Sequence, residues 1–396
     1  MKSLLHKAET AASWPTLAVD AALETGGDAL AGAEPLPLAP SRWDWRSVRR
    51  VLFVRLRSIG DTVLATPALF ALRRFLPGAQ IDILLEDWVA PLLYGLELVD
   101  QVITIERHSK ASRARAMRAL RAARYDVVYN LHGGTTATLI TRASGAKHRV
   151  GYASYQYGRL HNHTAPPASE LWGRPQTHSV EQQLALLGWT GVPVSDRPAT
   201  RLSVTREGVA SLDQKLRALK SDQPRLDPAR PFALMHPAAA FETKQWATLN
   251  FARVAESLAA RGVQTVAVVA PHEAEVNAAL NASSAAPIVA LSDLSLPSVT
   301  ALAARARLFV GNDSGIAHIA AAVGTPPVVI FGSSNVAHWR PWTGEAVPAE
   351  VVREELPCQP CPGYTCAEFD APECIRRVSI ERVMAAIERV LKSSDE

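Results

Sequence analysis

The chain has 396 residues, more than the roughly 250 to 300 at which a single hydrophobic core stops growing, so two domains are expected. Hydrophobic residues make up 48% and charged residues 20%, which excludes a largely disordered chain. The net charge of +4 is too mild to indicate a nucleic-acid partner, and none is expected.

Residues 1–47 are rich in Ala, Gly and Pro, as in AGAEPLPLAP at 31–40, and read as a mobile extension. They lack the continuous apolar stretch of a secretory signal, so a cytoplasmic location is expected. Trp43, Trp45, Arg46, Arg49 and Arg50 follow. The two tryptophans are read as packing on the first domain, with a membrane-interface foot as the alternative.

From residue 51, short apolar runs alternate with helical patterns. VLFVRL (51–56) leads to a helix over 61–76; QIDILL (80–85), a helix near 87–96, QVITI (101–105), a basic helix within 107–124 and DVVYNL (126–131) follow. Apolar runs alternating with helices imply parallel strands joined by right-handed crossovers, a doubly wound α/β domain. The basic helix, RHSKASRARAMRALRAAR, is either a solvated face or one drawn to acidic headgroups or a phosphorylated acceptor. The stretch 152–178 is long for a connector and reads as a substrate loop or lid.

A polar, Pro-containing stretch at 219–231 marks the expected boundary, giving a first domain over 48–222 and a second over 223–350. The strand–helix alternation restarts with FALMHP (232–237), VQTVAVVA (263–270), PIVAL, RLFVG (307–311) and PPVVIFG (326–332). The longest of these apolar runs have strand length, so no membrane span is expected. Residues 351–396 hold a Cys-rich segment and a helix near 379–392. Two such domains leave a cleft between the C-terminal ends of their strands, where ligands bind.

Three constellations carry chemistry. In RLRSIGDTVLATPAL (55–69) an acid, Asp61, stands where a helix begins, either as a cap or facing the cleft. In HPAAAFETKQW (236–246), Lys244 on a small-residue loop either offers a point charge to a phosphate or is a surface lysine without a role. In GNDSGIAHIAAAVGTP (311–326) a strand ends in a tight polar turn, so the free N–H groups and dipole of the next helix form an anion site suited to a diphosphate. There Asp313 is a cap or a ligand group, and His318 borders the site or is a satisfied core histidine. Glu273 follows the strand VQTVAVVA and could accept ribose hydroxyls or cap its own helix.

On these three motifs, in this order, the chain resembles glycosyltransferase family 9, the ADP-heptose:lipopolysaccharide heptosyltransferases, over about 50–390. The resemblance implies a GT-B architecture of two Rossmann-like domains facing across a cleft. The first would hold the acceptor and the second the sugar nucleotide, and the C-terminal helix would pack back toward the first. It also implies an inverting, metal-independent transfer without a catalytic cofactor, from an ADP-sugar to a lipid A core oligosaccharide, by an enzyme peripheral on the cytoplasmic face of the inner membrane. Position by position, Asp61 matches the proposed general base, Lys244 the phosphate-binding lysine, Asp313 the acid near the donor sugar, Ser314 and Gly315 the phosphate-facing turn, His318 the histidine closing that motif, and Glu273 the acid near the ribose. Ala238, Ala239 and Ala240 stand where the family usually has Gly or hydroxyl residues, which would leave phosphate contacts there to backbone N–H groups.

Cys358, Cys361, Cys366 and Cys374 are the only cysteines. Their clustering suits either a structural zinc or iron or free, redox-active thiols; the resemblance includes a protein-modifying relative with an iron site. Two further readings stay open, a protein acceptor with the same fold, or a sugar-nucleotide-binding scaffold without transfer. The absence of a G-x-G-x-x-G after the first strand argues against a dehydrogenase.

Overall fold

A computed structural model describes residues 34–393 apart from 222 and 362. In the first half β1 (Arg50–Val54), α1 (Ile59–Val63), α2 (Thr66–Phe75), β2 (Gln80–Glu86), β3 (Gln101–Ile105) and α3 (Lys110–Ala123) are followed by β4 (Val127–Asn130), α4 (Thr135–Ala143), β5 (His148–Tyr152), β6 (His163–Ala165), α5 (Ala168–Trp172) and α6 (Ser179–Gly188). After α7 (Arg206–Arg217) come β7 (Phe232–His236), α8 (Thr248–Ala260), β8 (Gln264–Val268), α9 (Ala274–Ser283), β9 (Ile288–Leu291) and α10 (Leu296–Arg305). The chain then runs through β10 (Leu308–Asn312), α11 (Gly315–Ala322), β11 (Pro327–Phe331), α12 (Val336–Trp339), β12 (Glu350–Arg353), α13 (Glu373–Arg376) and α14 (Ile380–Ser393).

Each half builds one six-stranded sheet, ordered β3-β2-β1-β4-β5-β6 and β12-β11-β10-β7-β8-β9. Every recorded pairing is parallel. Read from its own first strand, each sheet has the Rossmann order 3-2-1-4-5-6. The central strands are apolar on both sides, as in VLFV of β1 and PVVIF of β11, and are buried throughout, which helices on both faces require. In each sheet the order reverses beside the first strand, at β1/β4 and β7/β10. There the strand ends open a crevice, and the three motifs lie at those ends.

Four expectations are corrected. Residues 1–33 lie outside the described residues, but 34–47 are packed. Leu38 and Ala39 donate backbone N–H groups to the Gly188 carbonyl, Trp45 is buried and donates its indole N–H to the Thr190 carbonyl at 3.0 Å, and Trp43 stacks on His148 at 4.3 Å. The stretch 152–178 is not a plain loop, because it contributes the edge strand β6 and α5. α7, assigned by sequence to the first domain, packs on α10 of the second. Gly208 meets Pro297 there with no room for a side chain, so the polar stretch 219–231 joins elements within one domain and the crossover lies before α7. Finally, α14 buries Val383, Met384, Ala386, Ile387 and Val390 in the core of the second domain, against α8, β11 and β12. Its apolar face is thus committed there rather than to the first domain.

The basic helix forms as expected. Ser109 caps α3 by accepting from the Ser112 N–H at 3.1 Å, Arg124 ends it in the left-handed region at φ 53°, and Ser112, Ala116 and Leu120 face inward at fourfold spacing. Arg115, Arg118 and Arg121 are exposed. Among the described residues no helix is long and apolar enough to cross a membrane.

Candidate active site

The short helix α1 leaves the end of β1, and α11 leaves the end of β10. The two meet across the domains at glycines. A Cβ added at Gly60 would stand 2.7 Å from His318 Cδ2, and one at Gly315 would stand 2.7 Å from Ile59. Only hydrogen at these positions lets the helix starts touch, which brings the first and third motifs together.

Asp61 is divided between the two roles open to it. Its Oδ2 accepts from the Ser58 N–H at 3.0 Å, a cap-type contact, while Oδ1 pairs with the buried Arg55 guanidinium. Arg55 is fixed in turn by the Leu131 carbonyl at the end of β4. Burial pushes the Asp61 carboxyl up, but the Arg55 charge and the Ser58 N–H outweigh it, so its pKa lies below the ordinary 3.8. His132, next after Leu131, is lowered to about 4 by burial and by the Arg55 charge. It is therefore a neutral imidazole at pH 7.

On the second domain, Asp313 does not cap α11, whose N-cap is Ser314. Its Oδ2 accepts instead from Lys244 Nζ at 2.8 Å and from Ser334 Oγ at 2.5 Å, and it is 9% exposed. The Ser314 hydroxyl and His318 Nδ1 are buried atoms without a hydrogen-bond partner, both at the start of α11, where its free N–H groups and positive dipole end lie. Burial lowers the His318 pKa against the pull of Asp313 and Asp61, so this ring too is neutral. Lys244 Nζ also lies 5.2 Å from the Phe241 ring centroid.

Two expected contacts are differently placed. Glu273 turns Oε2 onto its own Ala270 N–H at 3.0 Å, the cap geometry, though it remains close enough to raise the pKa of His236 against burial. The Ala239 N–H, one of the backbone donors expected to face a diphosphate, is taken by Gln245 Oε1 at 2.7 Å. The four cysteines are neighbours, Cys361, Cys358 and Cys366 adding to the burial that raises the Cys374 thiol. Among the described residues no group of three or more His, Cys, Asp or Glu is arranged to hold a metal. Cys374 is buried and its thiol raised by that burial, while the other three are half-buried.

Several residues of the site escaped the sequence reading. Arg55 lies inside the quoted first motif, His132 one residue past the β4 run, and Ser334 three residues past β11. All three sit just beyond the C-terminal ends of strands, the position that would have found them. Asn312 pins the neighbouring loop, donating to the Pro237 carbonyl at 2.9 Å and accepting from the Trp246 N–H at 3.1 Å. A second contact between the domains runs through α12. His178, the N-cap of α6, accepts from the Val180 N–H through Nδ1 and donates through Nε2 to the Arg340 carbonyl at 2.8 Å, while His338 Nδ1 sits 3.3 Å from the Gln182 amide.

The family model described as glycosyltransferase family 9 (heptosyltransferase) matches residues 113–371. A lipopolysaccharide heptosyltransferase 3 of Escherichia coli is 27% identical over an alignment of 302 positions that covers 74% of this chain and 86% of that protein. Among solved structures, the ADP-heptose lps heptosyltransferase II of E. coli superposes with a TM-score of 0.70 at 22% identity, covering 88% of this chain and 100% of that one. The dodecameric iron-containing heptosyltransferase TibC, in complex with ADP-D-beta-D-heptose, superposes at 0.52 and 14% identity, covering 90% of this chain and 78% of that one.

Proposed function

We propose, from the premise that the chain belongs to glycosyltransferase family 9 and is a GT-B glycosyltransferase, that it transfers heptose or a related sugar from an ADP-sugar to a hydroxyl of a lipopolysaccharide core or lipid A acceptor, with inversion. The observation that carries this reading is the meeting of α1 and α11 at Gly60 and His318. It sets Asp61 of one domain beside the N-terminal end of α11 in the other, where free N–H groups and the positive dipole end lie.

In this reading Asp61 takes the acceptor hydroxyl proton as that oxygen attacks the anomeric carbon, and ADP departs from the opposite face. The leaving diphosphate is received by Lys244 and the N–H groups following Ser314, preorganised positive charge that does the work a metal would otherwise do. Neutral His318 and His132 add no competing cation. Asp313 holds Lys244 in place and faces the donor sugar. The basic face of α3 gives the protein a peripheral hold on an acidic lipid surface at the cytoplasmic side of the inner membrane.

Calorimetric binding of ADP-heptose against UDP- and GDP-sugars, followed by transfer to lipid A core acceptors in EDTA and assignment of the product anomer, tests the proposal. Selective ADP-heptose binding, EDTA-resistant turnover and an inverted product are expected. A retained anomeric configuration would remove Asp61 as base, and loss of activity in EDTA would return the leaving group to a metal.

A further inference from the structure

The two loops that hold Asp313, Phe241–Lys244 and the turn after β11, are clamped together by the cysteine-rich segment. Ser333 donates its N–H to the Thr243 carbonyl at 3.1 Å and accepts from the Cys361 N–H at 3.0 Å, while its hydroxyl donates to Thr243 Oγ1 at 2.8 Å. Thr243 Oγ1 donates to the Gly363 carbonyl at 3.0 Å. Gln359 donates through Nε2 to the Gly332 carbonyl at 2.6 Å, and at Gly332 a Cβ would stand 2.0 Å from the Thr243 carbonyl oxygen. On the outer side, Tyr364 covers Phe241 at 4.3 Å between ring centroids, and Phe241 is the ring beside Lys244 Nζ. The end of the segment is anchored, because Ile375 and Val378 belong to the core of the second domain and Trp246 donates its indole N–H to the Val378 carbonyl at 2.9 Å.

A lysine carries large rotamer entropy, and a preset position reduces what ligand binding must order. We propose that the segment 357–374 is a brace that positions Lys244 for the donor, with Tyr364 of the segment and Thr243 of the braced loop as positioning residues. This inference rests on the reading of Lys244 as the diphosphate ligand. It gives the segment a role in which the backbone and two side chains act and the thiols need hold no metal.

The test is calorimetric binding of ADP to the full chain, with donor KM and kcat, for Tyr364→Ala, Tyr364→Phe, Thr243→Val and Thr243→Ser, each also in a Lys244→Ala background. Tyr364 is 69% exposed, so its truncation leaves the fold intact. An aromatic or hydroxyl contact of this kind corresponds to about a two- to tenfold change in Kd. Tyr364→Ala and Thr243→Val are expected to weaken ADP and raise donor KM by that factor with kcat kept, Phe and Ser restoring the parent value. The effects should vanish once Lys244 is gone, a coupling that a merely structural role would not produce. Unchanged ADP affinity in both variants beside a weakened Lys244→Ala overturns the brace alone. Parent-like ADP affinity in Lys244→Ala overturns the phosphate reading, and the brace with it.

Discussion

Gly60→Ala tests whether the contact between α1 and α11 is the working geometry. The new methyl would sit 2.7 Å from His318 Cδ2 and 3.3 Å from Nε2, against the 3.5 to 4.0 Å at which carbon atoms settle, so the two helix starts must separate by roughly 1 Å. His318 is buried and cannot swing aside, whereas the domains can part. A displacement of about 1 Å between reacting groups can cost on the order of 100-fold in rate. Alanine suits a helix better than glycine by about 0.5 to 1 kcal/mol, which offsets part of the overpacking inside α1. The expected outcome is a 10- to 100-fold loss of kcat, roughly, with ADP affinity kept, because the groups proposed for the diphosphate lie in the second domain, and with a melting temperature close to the parent. Gly78→Ala serves as the control, since a Cβ there meets nothing within 4 Å. Steady-state kinetics beside thermal melts decide it. Parent-like turnover in Gly60→Ala would refute the argument that catalysis needs these helix starts in contact.

Asp61→Asn should lower kcat by about 10²- to 10⁴-fold while ADP binding stays nearly unchanged; parent-like turnover would exclude the acid as base. Because the folded pKa of Asp61 lies below 3.8, its ion pair with Arg55 contributes stability that is present above the unfolded value and lost as pH falls through the folded one. Arg55→Met should therefore flatten the fall in melting temperature below pH 4 and move the acid limb of the rate profile upward. His178, lowered to about 3 by burial despite its contact with the Arg340 carbonyl, is neutral when folded and takes up a proton when unfolded below its ordinary 6.5. Stability should thus decline as pH falls from 6.5 toward 3, and His178→Asn, which keeps an N-cap acceptor, should remove the His178 share of that slope, the other lowered histidines such as His132 and His148 keeping theirs, in melts at pH 7 and pH 4.5. Reversing Arg115, Arg118 and Arg121 to Glu should weaken sedimentation with anionic vesicles by at least about 100-fold, from roughly 1 kcal/mol per lost basic residue near the surface; unchanged sedimentation would remove α3 from the membrane contact.

Much of the fold was legible because it rests on local pattern. Runs such as VLFVRL and PPVVIFG declare buried strands whatever their neighbours, and Ala116 and Leu120 beneath a row of arginines declare the inner face of α3. What was not legible depended on which surface an element meets. α7 has an amphipathic pattern that fits either sheet, and its packing on α10, with Gly208 against Pro297 and Asp213 paired with Arg305, assigns it to the second. α14 likewise presents an apolar face with no address. In the site, the motif residues Asp61, Lys244, Asp313 and His318 do converge, but their partners come from other strand ends. Arg55 and Ser334 are ordinary residue types whose importance lies in the carboxylates they reach, and nothing in their own spacing announces it.

The electrostatics of Asp61 bear on how the proposed transfer divides its work. A carboxylate held ionised by a buried guanidinium is ready to accept a proton at any neutral pH, yet the same guanidinium makes it a weak base. It cannot deprotonate a sugar hydroxyl before attack. It can receive the proton only once bonding to the anomeric carbon has made that oxygen acidic, so proton transfer must lag carbon–oxygen bond formation. The driving force then falls to departure of the diphosphate toward the start of α11 and Lys244, which Asp313 already fixes. This ordering is measurable. Arg55→Met should make Asp61 a stronger base and shift the apparent acid pKa of kcat/KM upward, while Lys244→Ala should depress kcat/KM at every pH without moving that pKa. The reverse pattern, an unmoved profile in the first variant and a shifted one in the second, would place the titrating group on the donor side of the cleft.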